Sequence, residues 1–310
     1  MTGMTAKLLA GICTLLLAQV CGAEQHTARG ILLEVHPVEQ SITVSCEPIP
    51  GYMEAMAMPF TVRGSENLKA LVPGMTVSFD IVEGKHEAYA AHLHMVPVSN
   101  YEAEPTEARR LTFLHRVLDP SANAKIVQVG QPVPDFTLTD QAREITHLSQ
   151  FRGKVVALTF TYSRCPNPNY CFRLSNNLSI LERRFRARIG TNLMLVTIVI
   201  DPDQDRDKAL ERYANTWKAD PAAWRFLTGT VEEVRAAAEP FGMNFWNDEG
   251  FVTHSFHTVV IDRDGNLAAN MEGNQFMASQ LGDLVETVLR RPVHLASSTP
   301  ASTSSVSALK

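Results

Sequence analysis

Two cysteines, Cys165 and Cys171, flank a loop of five residues, Pro166-Asn167-Pro168-Asn169-Tyr170. Dithiols that cycle through a disulfide favour a two-residue spacing. This loop is longer and stiffened by two prolines, so both sulfurs can point at one acceptor without bonding to each other. A soft bidentate dithiolate suits Cu(I). Earlier in the chain Cys46 is followed by Met53, Met56 and Met58. Met56 and Met58 are two apart, which in an extended chain turns both thioethers to one face, and Cys46 comes alongside if the strands pair as neighbours. Thiolate and thioethers together select Cu(I) over hard cations. Each cluster has a plain alternative: a structural disulfide for the pair, and methionines filling an irregular core.

The chain that must position these groups has 310 residues, 45% hydrophobic and 20% charged, with 17 Gly and 17 Pro. That is the composition of a globular protein of more than one domain, neither disordered nor collagenous. Lys and Arg total 28 against 33 Asp and Glu, a formal charge of -5. No basic excess exists to wrap a phosphate backbone, so nucleic acid is not an expected partner. Residues 8–20 form the longest apolar stretch, after Lys7 and before Cys21-Gly22-Ala23. Charged, apolar and small-residue regions in that order read as a signal peptide over 1–23 and an exported protein. A bilayer span takes about 20 residues. A membrane anchor, by lipid on Cys21 or by retention of the segment, is the alternative. Cleavage removes Cys13 and Cys21 and leaves Cys46, Cys165 and Cys171. Cys165 and Cys171 can bridge, whereas Cys46 must be buried, reactive or a metal ligand.

Residues 27–97 alternate short β-type runs (28–36, 41–46, 58–63, 75–82 and 88–96) with turns at Pro73-Gly74 and Glu83-Gly84. Five short strands predict a small, closed, OB-like all-β barrel. His92 and His94 share a face of the last strand and read as a solvated pair. Residues 98–126 read as a linker, with helical spacing at 107–117. Residues 127–292 alternate strand and helix: strands at 155–162, 193–200 and 224–227, helices at 172–188, 207–219 and 231–241. Strands at 251–261 and 267–272 then flank a turn at Asp264-Gly265, and a helix at 276–290 closes the unit. That order predicts an α/β thioredoxin-like domain, so the chain is multidomain, barrel first. The tail, 293–310, is rich in Ser, Thr and Ala and reads as disordered.

In this frame the cysteine loop falls where a buried strand meets a helix N-terminus, whose N–H groups stabilise a thiolate. The strand 251–261 lies where a thioredoxin carries its cis-proline facing the cysteines, yet it has no proline and offers Thr253-His254-Ser255. His254 is therefore expected to face the cysteine loop and His257, three residues on, the opposite face.

The second domain resembles the SCO/SenC family of copper chaperones for cytochrome c oxidase. The resemblance rests on the segment 160–171, on Val199-Ile200-Asp201-Pro202-Asp203 with Asp205, and on Thr253-His254-Ser255 ahead of Val260-Ile261-Asp262-Arg263-Asp264-Gly265. It implies Cys165, Cys171 and His254 as copper ligands, although the family usually places three residues between its cysteines. The segment 45–60 resembles the CusF-like periplasmic copper-binding barrel, whose ligands are a His, two Met separated by one residue and a capping Trp. Met56 and Met58 match the Met pair; Cys46 stands where the His is expected and Met53 where the Trp would be.

Together these features read as an exported, periplasmic metallochaperone rather than an enzyme. It would bind copper, as Cu(I) and with the histidine as Cu(II), for delivery to or assembly of cytochrome c oxidase. The implied partners are a copper-accepting oxidase subunit and a thiol reductant for Cys165 and Cys171. A linker of about 30 residues would let the barrel pass Cu(I) to the second domain at high effective concentration. The alternative is a periplasmic thiol:disulfide oxidoreductase in which Cys165 and Cys171 cycle. Thr161-Tyr162-Ser163-Arg164 before Cys165 does not give the peroxidatic Pro-x3-Thr-x2-Cys pattern.

Overall fold

The structure, a computed structural model, describes residues 25–64, 67–84, 87–97, 126–248 and 250–292. The expected leader, almost all of the linker with its helical stretch at 107–117, and the tail lie outside the described residues. No helix among the described residues is long and apolar enough to cross a membrane.

Strands β1 (Gln25–His36), β2 (Ser41–Cys46), β3 (Met56–Val62), β4 (Thr76–Glu83) and β5 (Ala88–Met95) form a closed barrel in the order β1-β2-β3-β5-β4. Alternation builds it. Ile42, Val44 and Cys46 on β2 and Val77, Phe79 and Ile81 on β4 turn inward and are fully buried, with Phe60 packed edge-on to Phe79. Closure leaves no sheet edge open.

The second unit has a seven-stranded sheet ordered β14-β13-β8-β9-β10-β6-β7. Its strands are β6 (Thr137–Asp140), β7 (Ile145–His147), β8 (Val155–Thr161), β9 (Leu193–Val199), β10 (Trp224–Thr228), β13 (His257–Ile261) and β14 (Leu267–Glu272). The three central strands β8, β9 and β10 are parallel, and every residue of β8 and β9 is buried, as continuous apolar runs require. Helices α1 (Arg173–Arg184), α2 (Lys208–Thr216), α3 (Val231–Ala238) and α4 (Ala278–Arg290) complete a thioredoxin-like fold, α1 packing against α4.

Two departures from the sequence reading bear on the site, besides the short strands β6 and β7, which that reading did not contain. The expected strand 251–261 is broken. Phe251–His254 is β12, paired with β11 (Phe245–Asp248) in a separate hairpin, and only β13 enters the main sheet. The hairpin runs one residue further, to Ser255 opposite Asn244, where the ladder changes: the Ser255 N–H donates to Asn244 O at 2.9 Å, but the Asn244 N–H goes to the Ser255 hydroxyl at 2.9 Å, and the Ser255 carbonyl takes His254 instead. The barrel is also docked rather than merely tethered. Ile31 and Leu33, on the outer face of β1, are buried in the core of the thioredoxin-like unit, while Leu32 between them belongs to the barrel core.

Candidate metal centre

The end of β8 delivers Tyr162 and then the turn into the cysteine loop. Asp205, almost fully buried, accepts the Ser163 N–H at 2.7 Å and the Ser163 hydroxyl on its other oxygen. Arg164 bonds Asp201 at 2.6 Å. These contacts clamp the two residues before Cys165. Burial pushes the Asp205 carboxyl above its ordinary value even though the Ser163 bonds favour the charge.

Cys165 is half-buried, and its Sγ donates to Asn167 O at 3.6 Å. The chain then makes a wide helical turn, Pro168–Phe172, that leads into α1 and carries Cys171 inward to 2% exposure. There the Cys171 Sγ lies 3.7 Å from His254 Nε2. His254 is fully buried, edge-on to the rings of Tyr162 and Phe256, and its Nδ1 donates to Ser255 O at 2.8 Å. That bond fixes the tautomer and leaves the Nε2 lone pair directed at Cys171. Burial pulls the imidazole pKa down to about 4, so the ring is neutral at pH 7, the form that ligates a metal. His257 is also buried but pairs through Nδ1 with Asn270 at 3.0 Å, away from the cysteines.

The structure thus brings Cys171 and His254 together and leaves Cys165 turned toward Asn167. Among the described residues no three His, Cys, Asp or Glu side chains are gathered as a metal cluster. The donor chemistry still fits a soft ion. Metal–ligand bonds of about 2.0 to 2.3 Å place two ligands at a trigonal angle about 3.7 Å apart. That is the separation of Cys171 and His254.

In the barrel, Cys46 pairs in register with Met56, and Val44 with Met58, so Cys46, Met56 and Met58 share one face. Gly30 lies opposite Cys46 on the other side: a Cβ there would stand 2.3 Å from Ser45 O and 2.9 Å from Cys46 Cα, so a side chain would force the two strands apart. Cys46 is fully buried and a free thiol; burial, with the nearby Glu47 charge, pushes its pKa up to about 12. Metal binding there must release a proton. Met58 packs partly against the barrel core, whereas Met56 is 47% exposed. Met53 sits in a tight lap closed by two hydrogen bonds with Ile49 and packs partly against the barrel core. The sequence reading missed Tyr52 beside it, which stacks on His26 with ring centroids 3.7 Å apart. The available signal was parity, since His26, Ala28 and Gly30 fall on one face of β1. His92 is exposed and bonds Asp80 at 2.8 Å, and His94 turns to His92 O.

Comparison with known proteins gives two family matches. Residues 127–289 match the SCO1/SenC family model and residues 25–94 that of the copper binding periplasmic protein CusF. A SCO2-like protein of Rickettsia typhi is 24% identical over 148 residues, 45% of this chain and 68% of that protein. The SCO1 protein homolog of Bacillus subtilis is 21% identical over 145 residues, 46% of this chain and 74% of the relative. Among solved structures, copper-bound yeast Sco1 aligns with a TM-score of 0.46 at 22% identity, covering 53% of this chain and 92% of that one. A SCO1/SenC family lipoprotein of Bacillus anthracis aligns with a TM-score of 0.46 at 20% identity, covering 51% and 95%.

Proposed function

The chain belongs to the SCO1/SenC family, and on that premise we propose that it is an exported copper chaperone. Copper is its cargo, held by Cys165, Cys171 and His254 in the thioredoxin-like domain and, as Cu(I), by Cys46, Met56 and Met58 in the barrel, with Met53 lying over the latter site. The units are a barrel over 27–97, a linker over 98–126 and a thioredoxin-like domain over 127–292.

The observation that carries this reading is the contact between Cys171 and His254. A thiol and a neutral imidazole 3.7 Å apart, walled by Tyr162 and Phe256, with the ring oriented through Ser255 O, form two thirds of a soft-metal site. Cys165, half-buried at the loop's mouth, is the third ligand and the one through which the ion is exchanged with an outside thiol or thioether. The recipient is a copper-accepting subunit of cytochrome c oxidase, a thiol donor keeps the cysteines reduced, and the compartment is the periplasm.

The test is transfer. Cu(I)-loaded chain is mixed with the metal-free copper-binding domain of an oxidase subunit, the two are separated, and copper is counted on each. Movement of copper to the oxidase domain supports delivery; copper that stays on the chain overturns it.

A further inference from the structure

Ser45, the residue before Cys46, is 2% exposed although it lies on the outer face of the barrel. Its hydroxyl donates to Asp283 Oδ2 at 2.7 Å and its carbonyl accepts Gln280 Nε2 at 3.0 Å, both partners being on α4. Gln280 is 1% exposed and is held in turn, its Oε1 accepting the Met277 N–H at 2.8 Å at the start of the helix. The second oxygen of Asp283 accepts Arg184 at 2.7 Å. The surrounding contact is close: besides Ile31 and Leu33, a Cβ on Gly74 would stand 2.9 Å from the Asn270 carbonyl oxygen. Just upstream of α4, Asn274 donates to Asn169 O inside the cysteine loop at 2.8 Å. One short stretch of chain therefore grips the cysteine loop at one end and the strand carrying Cys46 at the other.

Cys46 is the last residue of β2, paired with Gly30 on one side and Met56 on the other, and the Glu47 N–H still donates to Arg29 O at 2.8 Å before the chain turns into the lap that carries Met53. These bonds set the register of the strand end. The other domain adds a further restraint, on the residue directly before Cys46. Resting on the reading that the barrel binds Cu(I), we propose that Gln280 and Asp283 are positioning residues for the barrel site. Through Ser45 they fix Cys46 opposite Met56, so the barrel reaches its full Cu(I) affinity only while docked on α4. Neither residue touches the metal; they act as outer-shell partners do, whose removal typically costs about 10- to 100-fold in affinity.

The experiment uses the chain from residue 24 carrying Cys165→Ser and Cys171→Ser, in which Cys46 is the remaining thiol. Cu(I) affinity is measured by chelator competition, and Cys46 reactivity in the metal-free protein by its rate of thiol labelling. Ser45→Ala and Asp283→Ala each weaken Cu(I) by about tenfold and speed labelling, and the double variant does no more than Asp283→Ala alone, because the bond between Ser45 and Asp283 is already lost there along with the Arg184 pair. Asp283→Asn keeps an acceptor for the Ser45 hydroxyl while giving up the charge pair with Arg184, and it restores both readouts, which separates the Ser45 bond from the ion pair and from loss of folding; an Asn variant that behaves like Ala overturns the proposal. Unchanged affinity and labelling in the two Ala variants, or effects that simply add, overturn the proposal. A parent that ignores Cu(I) overturns the copper reading of the barrel instead, and the labelling cycle then decides the clasp alone.

Discussion

Cys171 Sγ and His254 Nε2 meet at 3.7 Å across 83 residues of sequence, and the imidazole is fixed from behind by Ser255 O. Imidazole matters more to Cu(II) than to a dithiolate Cu(I) site, so the two oxidation states respond differently to its loss. His254→Ala is expected to weaken Cu(II) by at least the about 10- to 100-fold of an outer-shell change and to leave most Cu(I) affinity, whereas Cys171→Ser abolishes retention of both by residues 127–292. Cu(II) spectra and Cu(I) competition on the same variants check this. Unchanged Cu(II) spectra in His254→Ala would remove this histidine from the site.

Asp205 gives a pH signature. Its folded pKa is raised by burial, so just above the ordinary value of 3.8 the native state keeps a proton that the unfolded chain has lost. The native state then binds more protons than the unfolded one, and this group's contribution to stability falls as pH rises through that window. Asp205→Asn can still accept the Ser163 N–H and donate to the Ser163 hydroxyl, so it removes that slope without unfolding the turn. Asp205→Ala removes both Ser163 bonds, and because Ser163 is exposed and water can take their place the cost is about 0.5 to 1.5 kcal/mol for each. Denaturant unfolding of parent and variants across pH measures the difference; equal slopes in parent and Asn variant would contradict it.

The exposure of Met56 separates ligand from core. Buried Met→Ala changes cost about 2 to 5 kcal/mol, whereas surface changes stay within about 0.5 kcal/mol. Met56→Ala is expected at the surface end of that range and Met58→Ala between the two, while the pair together removes most Cu(I) affinity from the barrel. An unfolded double variant from a parent barrel that does not bind Cu(I) would make these methionines packing residues.

Turnover of disulfides distinguishes chaperone from oxidoreductase. The five-residue loop and the lack of any proline in 251–261, where a thioredoxin carries its cis-proline, predict slow reduction of insulin relative to a thioredoxin. Fast turnover abolished by Cys165→Ser would promote the oxidoreductase reading.

The legible parts of the sequence were those with a regular period. β2 and β14 begin and end where the alternation and the flanking turns put them, at Ser41–Cys46 and Leu267–Glu272. The break between His254 and His257 was hidden because every residue from Val252 to Ile261 is buried, so no change of pattern marks it. Strands β6, β7 and β11 are three or four residues long, too short for a period to register. His254 still reaches Cys171, but through the β11–β12 hairpin and the hook of Ser255 on Asn244 rather than through alternation along one strand. The stack of His26 on Tyr52 and the clasp on Ser45 depend on barrel closure and domain docking. Sequence separation conceals both. The apolar run Ile31-Leu32-Leu33 is the one local trace of docking, since a barrel strand with solvent outside has no reason to be apolar on both faces.

The most direct measurement of the central claim is a Cu(I) competition titration of the reduced chain from residue 24, run in parallel on Cys165→Ser/Cys171→Ser and on Met56→Ala/Met58→Ala. Two tight equivalents on the parent and one on each double variant is the predicted result. A parent that binds no Cu(I), or that binds it equally well after the cysteine pair is removed, would contradict the assignment of copper to Cys165, Cys171 and His254.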